Sequence, residues 1–299
     1  MPTTDSVNPF VAFLQIIWYI VSSFLQAFYW NLVPYSLKSK KNLHGKVILI
    51  TGAGGGIGSE LARKFAEMGC RLVLWDVVPA SNERTAQMCR QLGAEVFTYD
   101  VDITNRKEVY EIAARIESDV GPVDILINNA AIINSKDFLK TNDEQMDRLI
   151  DINVKSIFWT TKAFLPSMIQ RNSGHLVTIS SVAGIVGAPG LVDYTTSKFA
   201  VFGFMEALEH ELACLGHTEI RFSTICPIFV KTSMIDELDT TGWPILEVEY
   251  VAERIIRAIR LEQRVLMLPR MIYVLYAIKG IFPWNLYQSI IIKKRMKYS

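Results

Sequence analysis

The sequence predicts an α/β fold built on one doubly wound parallel sheet, and three observations carry that prediction. Short, continuously apolar, β-rich runs alternate with amphipathic helical stretches from Lys46 onward. The first run leads straight into a glycine cluster that opens a helix. No internal repeat or low-complexity tract interrupts the alternation, and 299 residues suffice for one large domain of this kind. Strands that are apolar throughout are buried on both faces, so the intervening helices must cover both sides of the sheet.

KVILIT (46–51) reads as the first buried strand, and IGSELARKFAEMG (57–69) as a helix that closes at a glycine. RLVLWD is the second strand, followed by a helix from about Asn82 to Leu92. EVFTYDV, a helix over Lys107 to Ser118, and VDILINNA come next, then a long helix from about Asp143 to Gln170. GHLVTISS is a strand, and YTTSKFAVFGFMEALEHEL (194–212) opens the following helix. IRFSTICP, a helix around Val248 to Leu261 and the short strand VLMLP complete the pattern. The expected organisation is a domain over 43–269 with about seven strands, flanked by segments 1–42 and 270–299.

Half of the chain is apolar and its net charge is +1, so nothing points to nucleic acid or to an acidic partner. Cys70, Cys89, Cys214 and Cys226 are scattered without a C-x-x-C, and the four histidines lack ligand spacing. Neither a disulfide framework nor a metal site is expected, and reduced thiols suit a cytosolic setting.

The apolar excess gathers at the ends. No charged residue lies between Asp5 and Lys38, and Pro9 to Val33 has the length of a membrane helix, for which about 20 apolar residues suffice. Phe28, Tyr29, Trp30 and Tyr35 collect where interfacial rings belong. There is no basic n-region or small-x-small site of a cleaved signal, which favours a retained anchor over a signal peptide; a hairpin or in-plane helix is the other reading. Lys38, Lys40 and Lys41 follow the segment, which places the main domain on the cytosolic side. The tail 270–299 is apolar but broken by Lys279, Gly280 and Pro283, and ends in Lys293, Lys294, Arg295 and Lys297. That pattern reads as a helical tail on an anionic membrane surface, with helices packed on the domain or a dimer contact as the alternative.

The loop TGAGGGIG places small residues between a strand and a helix whose unpaired N–H groups and positive dipole end favour a pyrophosphate. Gly52, Gly56, Ile57 and Gly58 are therefore candidate dinucleotide contacts in a Rossmann-type domain. The loop lacks the Lys-Ser or Lys-Thr of a Walker A sequence. Asp76 ends the second strand, where a carboxylate accepts hydrogen bonds from the adenosine ribose and repels a 2′-phosphate. No Arg or Lys in the loop or directly after Asp76 offsets that repulsion, so NAD is expected over NADP.

Together these motifs resemble the short-chain dehydrogenase/reductase family over roughly Lys46 to Thr232. The resemblance rests on Thr51 to Gly58, on Asp102-Ile103, on NNAA at Asn128 to Ala131, on Asn153 in DINVKS, and on Ser181 ahead of Tyr194-x-x-x-Lys198. It implies that Asp102 and Ile103 lie against the adenine ring, and that Asn129 and Thr232 contact the cofactor. It also implies a catalytic set of Asn153, Ser181, Tyr194 and Lys198. Lys198 would grip the nicotinamide ribose, Ser181 would hydrogen-bond the substrate oxygen, and Asn153 would hold a water that relays protons from Lys198. Tyrosine is a poor base with an ordinary pKa of about 10, but an ammonium at i+4 shares its helical face and favours the phenolate. Two positions depart from the family pattern: Ile228 stands where a glycine is usual, and Ala131 replaces the glycine of Asn-Asn-Ala-Gly.

Residues 232–247 fall where the family has its substrate loop, and Met234, Ile235, Leu238, Trp243 and Ile245 would form an apolar lid. LVLWD, SNERTAQM and the N-terminal segment resemble the membrane-anchored branch of retinol dehydrogenases and hydroxysteroid dehydrogenases. This implies a lipophilic alcohol as substrate, retinol or a related isoprenoid or long-chain alcohol first and a steroid second. It further implies a homodimer at the endoplasmic reticulum or lipid droplets. A third reading is an NAD-binding membrane protein with vestigial redox activity, against which the complete catalytic set argues.

Overall fold

β1 (Val47–Thr51) is buried along its whole length, and its apolar side chains alternate between two cores. In the computed structural model, which describes residues 35–236, 238, 240–281 and 283 together with positions 10, 11, 13–15, 17, 18, 21 and 22, this strand sits at the centre of a seven-stranded sheet. The other strands are β2 (Arg71–Asp76), β3 (Val96–Asp100), β4 (Ile125–Asn128), β5 (Gly174–Ile179), β6 (Ile220–Pro227) and β7 (Val265–Leu268). Their order is β3-β2-β1-β4-β5-β6-β7, every pairing is parallel, and the chain reverses direction across the sheet between β1 and β4. Ligands of such sheets bind in the crevice beyond the carboxyl ends of the strands at that switch.

Helices α1 (Gly56–Glu67), α2 (Pro79–Gln91) and α7 (Val248–Arg260) lie on one face, where Leu61, Phe65, Ala86, Cys89, Ile255 and Ile259 meet Ile48, Ile50, Leu72 and Leu74. On the other face α3 (Arg106–Asp119), α5 (Ser156–Gln170) and α6 (Val192–Cys214) bring Val109, Ile116, Phe164 and Met205 against Leu49, Val73, Trp75 and Leu126. Burying apolar surface on both sides explains why the strands read as unbroken apolar runs.

Two helices differ from the sequence reading. α2 begins at Pro79 rather than near Asn82, because proline in the first turn already has helical φ and lacks only an N–H that would be unpaired. The long helix expected from Asp143 to Gln170 is α4 (Asp143–Ile150), a five-residue π-helical turn (Asp151–Lys155) and α5. Wider turns of this kind recur at functional sites, and Asn153 sits in this one.

The chain divides into units Met1–Lys40 and Lys41–Ser299. In the first, the described positions between 10 and 22 are helical, and Lys40 Nζ lies 4.5 Å over the Tyr35 ring. The anchor expected over 9–33 falls largely outside the described residues, among which no helix is long and apolar enough to cross a membrane. In the second unit the tail forms α8 (Ile272–Ile281), whose Ile272 is buried in a cluster with Val182, Ile185 and Met267 against which Leu275 also packs. The basic cluster Lys293, Lys294, Arg295 and Lys297 lies outside the described residues.

Candidate active site

A cavity of 1620 Å³ opens at the carboxyl ends of the strands. Drug-sized ligands occupy pockets of about 300–1,000 Å³, so this volume suits an extended ligand together with a second molecule. Gly52, Gly56, Ile57, Asp76, Asp102, Ile103, Asn129 and Thr232 all line it, and so do Ser181, Tyr194 and Lys198. Gly58 and Asn153 do not, and each instead holds a lining residue from behind.

The glycine loop is shaped by close backbone approach. Gly52 has φ +64°, and a Cβ there would fall 2.9 Å from the Ala130 Cα. Gly58 packs so tightly under the loop that a Cβ would overlap the Gly52 carbonyl oxygen. Asn129 fastens the same turn by donating from Nδ2 to Thr51 O at 2.9 Å and to Gly52 O at 3.0 Å. Thr51 Oγ1 accepts from the backbone N–H groups of Asn129 and Ala130, a clamp that the motif marks only as its first position, without showing what the hydroxyl holds. The Thr232 methyl closes over Gly56 from the opposite wall.

These residues fit a dinucleotide. The N-cap of α1 is Gly55, whose lack of a side chain leaves the first-turn N–H groups without a side-chain cap beside the cavity. Asp76 is held at the end of β2 by Gly54 N–H, 2.7 Å from Oδ2, and by Val78 N–H, 2.9 Å from Oδ1. No Lys or Arg belongs to the wall made by residues 52–57 and 75–81. Asp102 Oδ1 accepts from both N–H and Oγ1 of Thr104, which fixes the turn that carries Ile103.

Tyr194 and Lys198 lie on the first turns of α6, one turn apart, with Lys198 Nζ 5.5 Å from the centre of the Tyr194 ring. Lys198 is 2 % exposed, and its ammonium donates to Ile179 O at 2.9 Å. Burial lowers its pKa to about 8. Burial also pushes the Tyr194 phenol up to about 12, against a smaller downward pull from a hydrogen bond with Ser181. Desolvation of the phenolate is the larger effect here, so the neighbouring ammonium does not by itself bring the phenol towards neutrality, and the expected lowering also needs the positive nicotinamide. Ser181 begins a short turn (Val182–Gly184), and its Oγ accepts from Ala183 N–H at 3.1 Å.

Asn153 is fully buried, and its side chain is spent on protein partners. Oδ1 accepts from Ile132 N–H at 2.8 Å, while Nδ2 donates to Ile132 O at 2.9 Å and to Ser197 Oγ at 3.1 Å. Ser197 Oγ donates onward to Tyr194 O at 2.7 Å, which ties the loop after β4 to the helix that carries the phenol. Ser197 was not foreseen, although its place three residues after Tyr194 puts it on the same helical face.

Of the expected lid, Met234, Ile235, Leu238 and Trp243 line the cavity; Ile245 does not and is 47 % exposed. It lies beyond the turn of the loop, just before Leu246 pairs with Val230. Ile228 and Ala131 both line the cavity, and Ile228 N–H donates to Leu268 O at 2.9 Å, so the position that departs from the family glycine is held by β7.

The family profile described as short chain dehydrogenase matches residues 46–242. Estradiol 17-beta-dehydrogenase 11 of Rattus norvegicus is 42% identical over 259 residues, which cover 87% of this chain and 86% of that protein. Epidermal retinol dehydrogenase 2 of Homo sapiens is 44% identical over 266 residues, covering 87% and 85% respectively. Among solved structures, a short chain dehydrogenase/reductase from Burkholderia phymatum in complex with NAD matches with a TM-score of 0.74 and 27% identity, over 85% of this chain and 97% of that one. With the glycine loop, the Tyr-x-x-x-Lys pair and this match in one chain, the protein belongs to the short-chain dehydrogenase family.

Proposed function

We propose that this dehydrogenase interconverts a lipophilic alcohol and its aldehyde or ketone with NAD as cofactor, retinol or a related isoprenoid or long-chain alcohol being the first choice of substrate. The reading is carried by one observation: Tyr194, Lys198 and Ser181 face the same cavity as the glycine loop and Asp76. Beside Tyr194 the cavity wall carries an apolar cluster of Ile132, Ile133, Ala188, Leu191 and Leu238, and Met234 and Trp243 line the same cavity. Such a wall suits a hydrocarbon alcohol.

NAD, when bound, accepts the carbinol hydride and brings a positive ring to the site. Gly52, Gly56 and Ile57, with the open first turn of α1, would hold its phosphates, Asp76 its adenosine ribose, and Asp102, Ile103, Asn129 and Thr232 the flanks. In oxidation Tyr194 takes the hydroxyl proton, and in reduction it returns one to the forming alkoxide. The Lys198 ammonium opposes the effect of burial on the phenol and contacts the cofactor ribose. Ser181 donates a hydrogen bond to the substrate oxygen and steadies its developing charge. Asn153, its side chain committed to Ile132 and Ser197, keeps the loop after β4 against α6 and so acts by positioning Tyr194 and Lys198.

A hydroxysteroid is the second reading, favoured by the 42% identity to estradiol 17-beta-dehydrogenase 11. In either case segment 1–42 is proposed as a membrane anchor, 270–299 as a surface-seeking tail, and the enzyme as a homodimer on endoplasmic reticulum or lipid droplets with its catalytic domain towards the cytosol. NADH production from retinol, estradiol and decanol, each measured with NAD and with NADP, tests the assignment. Fastest turnover of retinol with NAD is expected. Preference for NADP, or turnover of none of the three, would overturn it.

A further inference from the structure

Lys279 interrupts an apolar tail and has no part in the proton and hydride transfer described above. On α8 its Nζ donates to the Ile185 carbonyl at 2.7 Å and lies 4.7 Å over the Phe199 ring of α6. Ile185 closes the turn that begins at Ser181, with Ile185 N–H on Val182 O and Gly184 N–H on Ser181 O. The same turn presses on the catalytic helix, since a Cβ on Gly184 would come 2.7 Å from Lys198 O. Val182 and Val186, on either side of Ile185, line the cavity. One ammonium therefore joins α8, the Ser181 turn and the residue next to Lys198.

From this juxtaposition we infer that Lys279 is a positioning residue for alcohol binding, which holds the turn bearing Ser181 and the wall made by Val182 and Val186 at the right distance from Tyr194. The inference rests on the alcohol-oxidising function proposed above. A charge-assisted hydrogen bond to a carbonyl is stronger and more directional than a neutral one, and the aromatic face of Phe199 adds a second hold on the same cation. Lys279 is not among the residues that line the cavity with the glycine loop, so cofactor contacts should not depend on it.

Lys279→Met keeps the length of the side chain and removes the charge, and Lys279→Arg retains a cation and donors. With the alcohol of the panel that wild type oxidises fastest, Lys279→Met should raise KM about tenfold and leave the dissociation constant for NADH, read by fluorescence, within twofold of wild type. Lys279→Arg should recover most of that KM. Unchanged KM and kcat in Lys279→Met would overturn the inference while leaving the proposed function intact, as would a Lys279→Arg variant no better than Lys279→Met. Loss of NADH binding together with alcohol turnover in Lys279→Met would also overturn it, because that pattern marks a general contribution to folding. A wild-type chain that oxidises no alcohol of the panel would overturn both.

Discussion

Lys198 carries a cation into a site that disfavours one. Its folded pKa of about 8 lies below the ordinary 10.5, so between those two pH values the folded state binds fewer protons than the unfolded chain. Stability from this group therefore grows as pH rises through that window, and at pH 7 the penalty is present in full, at roughly 1.4 kcal/mol for each tenfold loss of proton affinity. The Cys226 thiol nearby is pushed up to about 12 by burial and stays neutral, so it supplies no counter-charge. Lys198→Met should remove this penalty, less the lost bond to Ile179 O, for a net gain of about 1–2 kcal/mol. The expected outcome is a Tm raised by several degrees at pH 7 in a protein without alcohol turnover; calorimetry that shows a lower Tm would contradict it. The pairing of Tyr194 with Lys198 was legible from a spacing of four on a helix. The height of the phenol pKa and the partners of Asn153 were not, because desolvation depends on what packs around α6, and because the π-helical turn that aims Asn153 at Ile132 leaves no mark in the residue pattern.

At the scale of elements, the strand–loop–helix unit β1–α1 holds its shape through contacts between backbones. Gly58 marks the closest of them, against Gly52 O, and neither atom belongs to a flexible side chain that can give way. Gly58→Ala should force the loop away from α1, cost about 1–3 kcal/mol of stability, and weaken NADH binding by at least tenfold. Titration of NADH fluorescence checks this, and wild-type affinity in the variant would show that the loop tolerates the displacement. Apolar runs announced the inner strands, which are buried on both sides and have no polar face to confuse the period. The edge strand β3 (VFTYD) is half exposed and was legible from its β-rich composition between two helical stretches. The start of α2 was less legible because a proline reads equally as the end of a loop and the first turn of a helix.

At the scale of the whole molecule, strand order and the switch between β1 and β4 decide where the cavity lies. That much of the site could be placed from the order of motifs along the chain. The packing of α8 on the Ser181 turn could not, because a short apolar helix broken by a lysine reads equally well as a membrane-surface segment. The exposed Met271, Val274 and Ile281 in and beside that helix accord with a tail that meets lipid on its outer side. The intact chain should float with anionic liposomes, and removal of residues 1–42 should reduce flotation while leaving NADH binding unchanged. Equal flotation of the truncated chain would rule out an anchor in that segment.

Central to this mechanism is the Tyr194 phenol, which moves the proton while a bound nicotinamide takes the hydride. Tyr194→Phe keeps the ring and deletes the one oxygen concerned, so steady-state alcohol oxidation and NADH affinity of this variant test the mechanism most directly. The expected result is a kcat lower by about three orders of magnitude or more, with NADH affinity within a few-fold of wild type. Turnover within tenfold of wild type would contradict it.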